Sequence, residues 1–232
     1  MTDQVAGLER AFVWSAGAAF AASLAFTAWT FLITFGRNGR TTFDRRAAVI
    51  DLVLFSLFAL HHSLLARSSA KALLRRRVPE RLIRTIYVWV ASSLLFVACW
   101  LWQPVGESLY HVAWPLAAAG WGLQLVGLWL TVQGARAIDP LELAGIRAAT
   151  VSPPLQVSGV YGIVRHPLYL GWLLMVFGAP VMTGDRLTFA IVSSSYLVIA
   201  IPLEERLLLA TFGDGYRSYR QRVRWRLIPF IY

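Results

Sequence analysis

The sequence predicts an all-α fold: a polytopic membrane bundle of about six transmembrane helices (five to six), forming a single domain over residues 1–232. Three observations predict it. Hydrophobic residues make up 57% of the chain and charged residues only 15%, a balance far from that of soluble domains. The apolar residues come in runs near the roughly 20 residues a helix needs to cross about 30 Å of hydrocarbon. The arginines gather between those runs. The same composition excludes disorder, a collagen or coiled-coil rod and, with Cys99 the single cysteine, a disulfide scaffold. A net charge of +10 would suggest nucleic acid in a soluble protein. Here the arginines border apolar stretches, where they act as topology signals and as contacts for membrane lipids, so no nucleic acid partner is expected.

Six segments carry the fold in chain order: 11–35, 47–66, 85–102, 112–133, 167–183 and 187–203. The first is too long for a signal-peptide core and follows Glu9 and Arg10, which give no net basic flank, so it is expected to remain in the mature protein. The first four make an N-terminal four-helix part, 1–133. The last two belong to a C-terminal part, 134–232, and are separated by Thr183-Gly184-Asp185-Arg186, which reads as a tight turn in a helical hairpin. With six crossings, 17 of the lysines and arginines fall on the side of both termini, against 5 on the other, namely Arg37, Arg40, Arg45, Arg46 and Arg186. Both termini are therefore expected in the cytoplasm, with the protein in a bacterial inner membrane.

Ionisable groups inside spans are costly, which singles out Asp51, His61 and His62. Asp51 is near one end of its span, where reaching the interface or pairing with Arg45 or Arg46 is the ordinary expectation. His61 and His62 precede Arg67 near the cytoplasmic end. Adjacent helical residues point about 100° apart, so one of the two at most aims into a given site.

The connection 134–166 is long and contains Asp139, Pro140, Glu142, Arg147, Pro153 and Pro154. Connections of that length are usually functional or disordered. It runs into Arg165-His166-Pro167-Leu168-Tyr169-Leu170-Gly171, where Pro167 marks the first turn of a helix. A helix start offers N–H groups to an anion, Arg165 adds a carboxylate-matching fork, and Gly171 lets a flat ligand approach the backbone. At the end of the last span, Glu204 and Glu205 stand beside Arg206. One carboxylate can bind a cationic ligand while the other pairs with Arg206 or solvent. Phe212-Gly213 reads as a helix stop and Asp214–Arg220 as the start of a short amphipathic helix. An anion site and a carboxylate pair at one membrane level, making a cytoplasmic pocket in the C-terminal third, suit an amino-acid-like cofactor. No metal is expected.

The pattern from Arg165-His166-Pro167 through Tyr169 and Gly171, then Glu204-Glu205, then Phe212-Gly213 with Tyr216 and Tyr219, resembles membrane methyltransferases related to isoprenylcysteine carboxyl methyltransferase and bacterial phospholipid methyltransferases. The resemblance covers Gly159 to about Pro229. It implies an S-adenosylmethionine (S-adenosyl-L-methionine) site with contacts from Arg165, His166, Tyr169, Gly171, Glu204 and Glu205. The remaining two thirds is similar to the methanethiol S-methyltransferase branch and its relatives associated with nitrogen oxide metabolism. The residues that carry this are Leu57–Arg67, Arg84-Thr85-Ile86-Tyr87-Val88 and Trp100-Leu101-Trp102-Gln103-Pro104. Two positions depart from that branch: His61 stands where Gln is expected, and Pro140 stands where the pattern has a histidine.

The resemblance implies methyl transfer to a small or lipophilic thiol. Alternatives are methylation of a lipid amine or of a prenylcysteine-type carboxylate, or a non-catalytic membrane protein of a nitrogen oxide pathway. A thiol acceptor must become thiolate, which calls for a base. His62 is the candidate, with Glu142 or Asp139 as alternatives and Arg147 balancing the pocket's charge.

Overall fold

The structure, a computed structural model, describes residues 2–37, 42–65, 74–147 and 154–232. Arg40, Arg67 and Pro153, used above in reading charge and loops, lie outside the described residues. In chain order the elements are α1 (Thr2–Trp29), continued by a π turn at Thr30–Thr34 and a 3₁₀ turn at Phe35–Arg37, then α2 (Arg45–Leu65), α3 (Glu80–Trp100), β1 (Ser108–His111), α4 (Leu116–Ile138) and α5 (Pro140–Leu143). A 3₁₀ turn at Gly159–Gly162 leads to α6 (Pro167–Phe177), β2 (Val181–Thr183), α7 (Gly184–Phe212) and α8 (Asp214–Arg222).

Among the described residues, five helices are long and apolar enough to cross a membrane: Gly7–Arg37, Arg45–Leu64, Glu80–Trp100, Leu116–Ile138 and Gly184–Phe212. The protein is an all-α polytopic membrane protein, as its composition requires. The segment 167–183 is the departure. It folds as the 11-residue α6, about 16 Å long and half a bilayer core, followed by the strand β2. The expected tight turn at Thr183–Arg186 is instead a helix start: the Thr183 hydroxyl accepts the Arg186 amide, so Gly184 to Arg186 are already the first turn of α7.

Contacts divide the chain into two units that differ from the sequence partition at 133/134. The first comprises Met1–Arg37, Asp44–Val105 and Asp139–Val151; the second comprises Asn38–Phe43, Gly106–Ile138 and Ser152–Tyr232. In the first, α3 packs against both α1 and α2. Phe26 meets Phe96 with ring centroids 4.5 Å apart, and Trp89 Nε1 donates to Ser15 Oγ at 3.2 Å. On α2 the buried positions Asp51, Phe55 and Ala59 recur every fourth residue, while Leu52, Val53, Leu57 and Leu60 are exposed, as on a helix with one face toward lipid. Asp51 belongs to that buried stripe. Its Oδ1 accepts the Gln103 amide at 2.8 Å, beyond the end of α3, and Arg45 and Arg46 stay exposed. The aspartate that serves the start of α2 is Asp44, whose Oδ1 accepts the amides of Arg46 and Ala47.

The second unit is built on a seam between α4 and α6. A Cβ added at Gly120 would stand 2.6 Å from the Gly178 carbonyl oxygen, at Gly127 2.5 Å from that of Gly171, and at Gly134 2.9 Å from the Leu168 side chain. These three glycines are spaced by seven, so they line one side of α4, and any larger residue would push the helices apart. α7 adds to the unit through Trp172, whose indole N–H donates to Ser193 Oγ at 2.9 Å. Antiparallel pairing of β1 with β2 precedes α7.

Candidate active site

Three stretches of the second unit bring the C-terminal candidates together. Pro167 opens α6 and has no amide to satisfy, which leaves Arg165 and His166 in the non-helical chain just before it. Their amides donate to the carbonyls of Trp225 and Arg226, at 3.0 and 2.9 Å. α7 contributes Glu204 and Glu205, twenty residues or about 30 Å along the helix from Gly184. Gly213, with φ of 52°, stops α7 and turns the chain into α8, whose Tyr216 and Tyr219 are buried together with Val223 just past its end. Tyr219 donates to the Tyr161 carbonyl at 2.8 Å, tying α8 to the 3₁₀ turn ahead of Arg165.

Glu205 is the hub of the site. Its side chain is 5% exposed, and Arg165 Nε donates to Oε1 at 2.6 Å while Arg226 Nε donates to Oε2 at 3.2 Å. Arg165 spends its remaining reach on the carbonyls of Val223 and Arg224, each at 2.7 Å. Two expectations change here. Arg165 does not hold out an open fork to a ligand carboxylate, because the buried Glu205 carboxylate and the carbonyls of Val223 and Arg224 take its Nε and Nη1 donors. Arg206 is not the partner of either glutamate; it is exposed, and Arg165 and Arg226 take that part.

Glu204 faces outward, with its side chain 45% exposed. The Tyr169 hydroxyl donates to its Oε1, and His166 Nδ1 lies 3.5 Å from Oε2. The His166 and Tyr169 rings stack, centroids 5.4 Å apart and 14° from parallel. Burial disfavours charge on His166, yet the hydrogen bonds and fields of Glu204 and Glu205 outweigh it and raise its pKa above the ordinary value. Burial also pushes the Tyr219 phenol up to about 12, so it remains a hydrogen-bond donor. Gly171 is buried against α4, where a Cβ would meet Thr131 Oγ1 at 2.5 Å and the Gly127 carbonyl at 2.6 Å. Helix packing is thus the reason for glycine there, in place of the close ligand approach expected.

The other candidates lie in the first unit. His62, half-buried, lies one turn beyond Ala59 on α2, and its Nδ1 is 2.6 Å from the Tyr87 hydroxyl. His61 also meets Tyr87, stacked on its ring at 5.8 Å and 15°. The two histidines thus share one residue, despite pointing in different directions, because one takes the hydroxyl and the other the ring face. Asp139 caps α5 by accepting the Leu141 amide at 2.9 Å and pairs with Arg147. Burial works against its charge, but the Leu141 amide and Arg147 outweigh it and lower its pKa, which makes it a weaker base. Glu142 gives its carbonyl to Arg84 Nε at 2.6 Å, and its carboxylate is 4.0 Å from the same guanidinium. These contacts give Asp139, Glu142 and Arg147 roles in shaping the turn after α4.

Sequence reasoning passed over Tyr87 and Arg226. Tyr87 was in view within Arg84–Val88, but nothing in a one-dimensional pattern pairs it with His62. Arg226 is one of Arg222, Arg224 and Arg226 at alternate positions, a signal for an extended basic stretch and for nothing finer.

A polytopic helical bundle with a buried arginine–glutamate hub and a histidine–tyrosine–glutamate group at the end of a spanning helix defines a class of integral membrane protein with an internal polar site. Residues 116–215 match the phospholipid methyltransferase family. The chain is 37% identical over 193 residues to a methanethiol S-methyltransferase of Pseudomonas deceptionensis, covering 76% of this chain and 71% of that one. It is 36% identical over 201 residues to that of Crocosphaera subtropica, with 80% and 76% covered. A methanethiol S-methyltransferase 1 of Bradyrhizobium diazoefficiens is 36% identical over 209 residues, with 83% and 70% covered. The chain belongs to this family of membrane methyltransferases, within the group that includes the methanethiol S-methyltransferases.

Proposed function

We propose that the protein is an S-adenosylmethionine-dependent methyltransferase that acts on a small or lipophilic thiol, giving a thioether. The observation that carries this reading is Glu204, a carboxylate left nearly half exposed while its neighbour is fully used, and oriented by Tyr169 and His166. The donor set fits the methyl donor: a half-exposed carboxylate, steadied by Tyr169 and His166, for a cationic ammonium or sulfonium, and a flat His166–Tyr169 stack beside it. The relatives' names supply the thiol.

When bound, S-adenosylmethionine supplies a methyl group on a sulfonium, transferred in a single displacement with no covalent enzyme intermediate. Catalysis by the chain then consists of alignment and exclusion of water. Glu204 holds positive charge, Tyr169 and His166 fix its carboxylate, and Arg165 with Glu205 and Arg226 ties α6, α7 and the C-terminal segment into one rigid group. His62 takes the proton of the thiol, and Tyr87 orients its ring.

The 17-to-5 charge asymmetry supports cytoplasmic termini in a bacterial inner membrane, which needs an even number of crossings. The sixth crossing of this reading falls to α6, about 16 Å long, together with residues 178–183, which bend at Pro180 before the strand β2. Gly178, Ala179 and Pro180 are buried, the condition under which non-helical backbone is tolerated at membrane depth.

The test is to give the purified full-length chain labelled S-adenosylmethionine with thiols, lipid amines and prenylated cysteines, and to identify products by mass spectrometry. A methylated thiol is expected. Methylation confined to an amine or a carboxylate would replace the thiol reading, and no cofactor binding at millimolar concentration would remove the cofactor as well.

A further inference from the structure

We propose that the protein binds the phosphate head group of an anionic membrane phospholipid in a cavity between α8 and the C-terminal segment. The cavity has a volume of about 620 Å³, and its walls include Arg165, Arg217, Arg220, Arg224, Trp225 and Arg226 with no carboxylate among the lining residues. Five arginines line one space. Three of them are fixed by ion pairs: Arg165 and Arg226 on Glu205, and Arg217 on Asp214 at 2.7 Å. Arg220 and Arg224 make no ion pair among the described residues, and both are exposed. Arg217 and Arg220 sit one turn apart on α8, both exposed, along one flank of its buried Tyr216 and Tyr219, and Arg224 follows just past the helix end. Like charges so placed repel, and a bound anion removes that cost.

The second observation is apolar. Phe230 and Ile231 are 85% and 77% exposed, and the Phe230 ring packs against Trp225, a wall of the cavity, at 5.2 Å. Two exposed apolar side chains beside five arginines make an interfacial arrangement, with cations for phosphates and rings for the boundary with the acyl chains. The position suits it, because α8 begins two residues after the end of the spanning helix α7. A soluble phosphate ester would satisfy the arginines and leave Phe230 and Ile231 in water, so the two observations together select a lipid.

The proposal does not depend on the methyl donor. Its test uses the full-length chain reconstituted in phosphatidylcholine vesicles carrying a minor fraction of phosphatidylglycerol, extracted in mild detergent and examined by native mass spectrometry. The wild type should retain phosphatidylglycerol in preference to phosphatidylcholine. Arg220→Gln with Arg224→Gln should lower that retention on the order of tenfold or more, and Phe230→Ser should lower it as well. Arg76→Gln with Arg77→Gln, exposed arginines elsewhere, should leave it unchanged. An unchanged thermal midpoint and unchanged S-adenosylmethionine binding in the Arg220/Arg224 variant would show that the cofactor site is intact. Equal retention of the two lipids, retention unaffected by the Arg220/Arg224 pair, or displacement by glycerol 3-phosphate that is indifferent to Phe230→Ser would overturn the lipid site.

Discussion

His166 and His62 mark two ways of holding an imidazole. In the second unit His166 is gripped by charge: the carboxylates of Glu204 and Glu205 lie 3.5 and 3.7 Å from its ring nitrogens, with Arg165 and Arg226 behind Glu205. In the first unit His62 is gripped by rings: the Tyr87 hydroxyl at 2.6 Å and Phe58 with its centroid 5.7 Å away. Carboxylates stabilise an imidazolium, so His166 is suited to donate and to orient. A phenol hydroxyl can accept from one ring nitrogen and leave the other its lone pair, which suits a group that must receive a proton. The difference separates holding from proton transfer, and substitutions should separate them too.

The largest effect is expected at His62. His62→Ala should lower the rate of methyl transfer to a thiol by roughly 100- to 10,000-fold and leave cofactor affinity nearly intact. The loss should shrink at high pH, where the thiol ionises unaided. A pH–rate profile beside His61→Ala decides it, since an equal and pH-independent loss in both would make Tyr87 contact a matter of packing alone.

Arg165→Ala should destabilise the fold by about 3–5 kcal/mol, because Glu205 would remain buried with its second arginine mostly on the other oxygen. Arg165→Lys should recover only part, lacking the fork that reaches Glu205 and two carbonyls together. Thermal unfolding in detergent reads both. A loss below about 1 kcal/mol would mean that Arg226 alone balances the hub.

Glu204→Gln should weaken cofactor affinity by about 1.5–3 kcal/mol, measured by calorimetry, with little change in stability because the group is nearly half exposed. Tyr87→Phe should cost about 0.5–1.5 kcal/mol in the transition state, through a less well oriented His62, and the rate at saturating thiol would report it.

The smallest effect is a pH dependence. The His166 pKa is raised in the folded state, so its attraction to Glu204 and Glu205 contributes fully below the unfolded value of about 6.5 and is lost as pH rises through the folded value. Stability of the wild type should therefore fall across that window relative to His166→Gln. A parallel pair of stability–pH curves would show that His166 binds its proton no more tightly in the folded protein.

These comparisons also show what the sequence could carry. Helix positions were legible because lipid demands long apolar runs, and Pro167 and Gly213 punctuate them through backbone rules that act locally. The cofactor candidates were legible because several stand close together in the chain. Partners were not. Glu205 reaches forty residues back to Arg165 and twenty-one forward to Arg226, whereas its neighbour Arg206 points to solvent. Adjacency along a helix was a poor guide, because successive residues leave the axis about 100° apart. α6 was misjudged for a related reason: hydropathy is blind to whether an apolar run is helical to its end, and the run continues through β2.

The seam of Gly120, Gly127 and Gly134 bears on how the protein is made. A helix of 11 residues gains too little from lipid to partition into the bilayer by itself, whereas α4 has 23. α6 therefore enters the membrane as a passenger, docked by backbone contact on a helix that emerged from the ribosome before it. A bulky residue at Gly127 would act during biogenesis, leaving a nascent chain whose last third has no seat, and the defect would appear as degraded protein before it appeared as a slow enzyme.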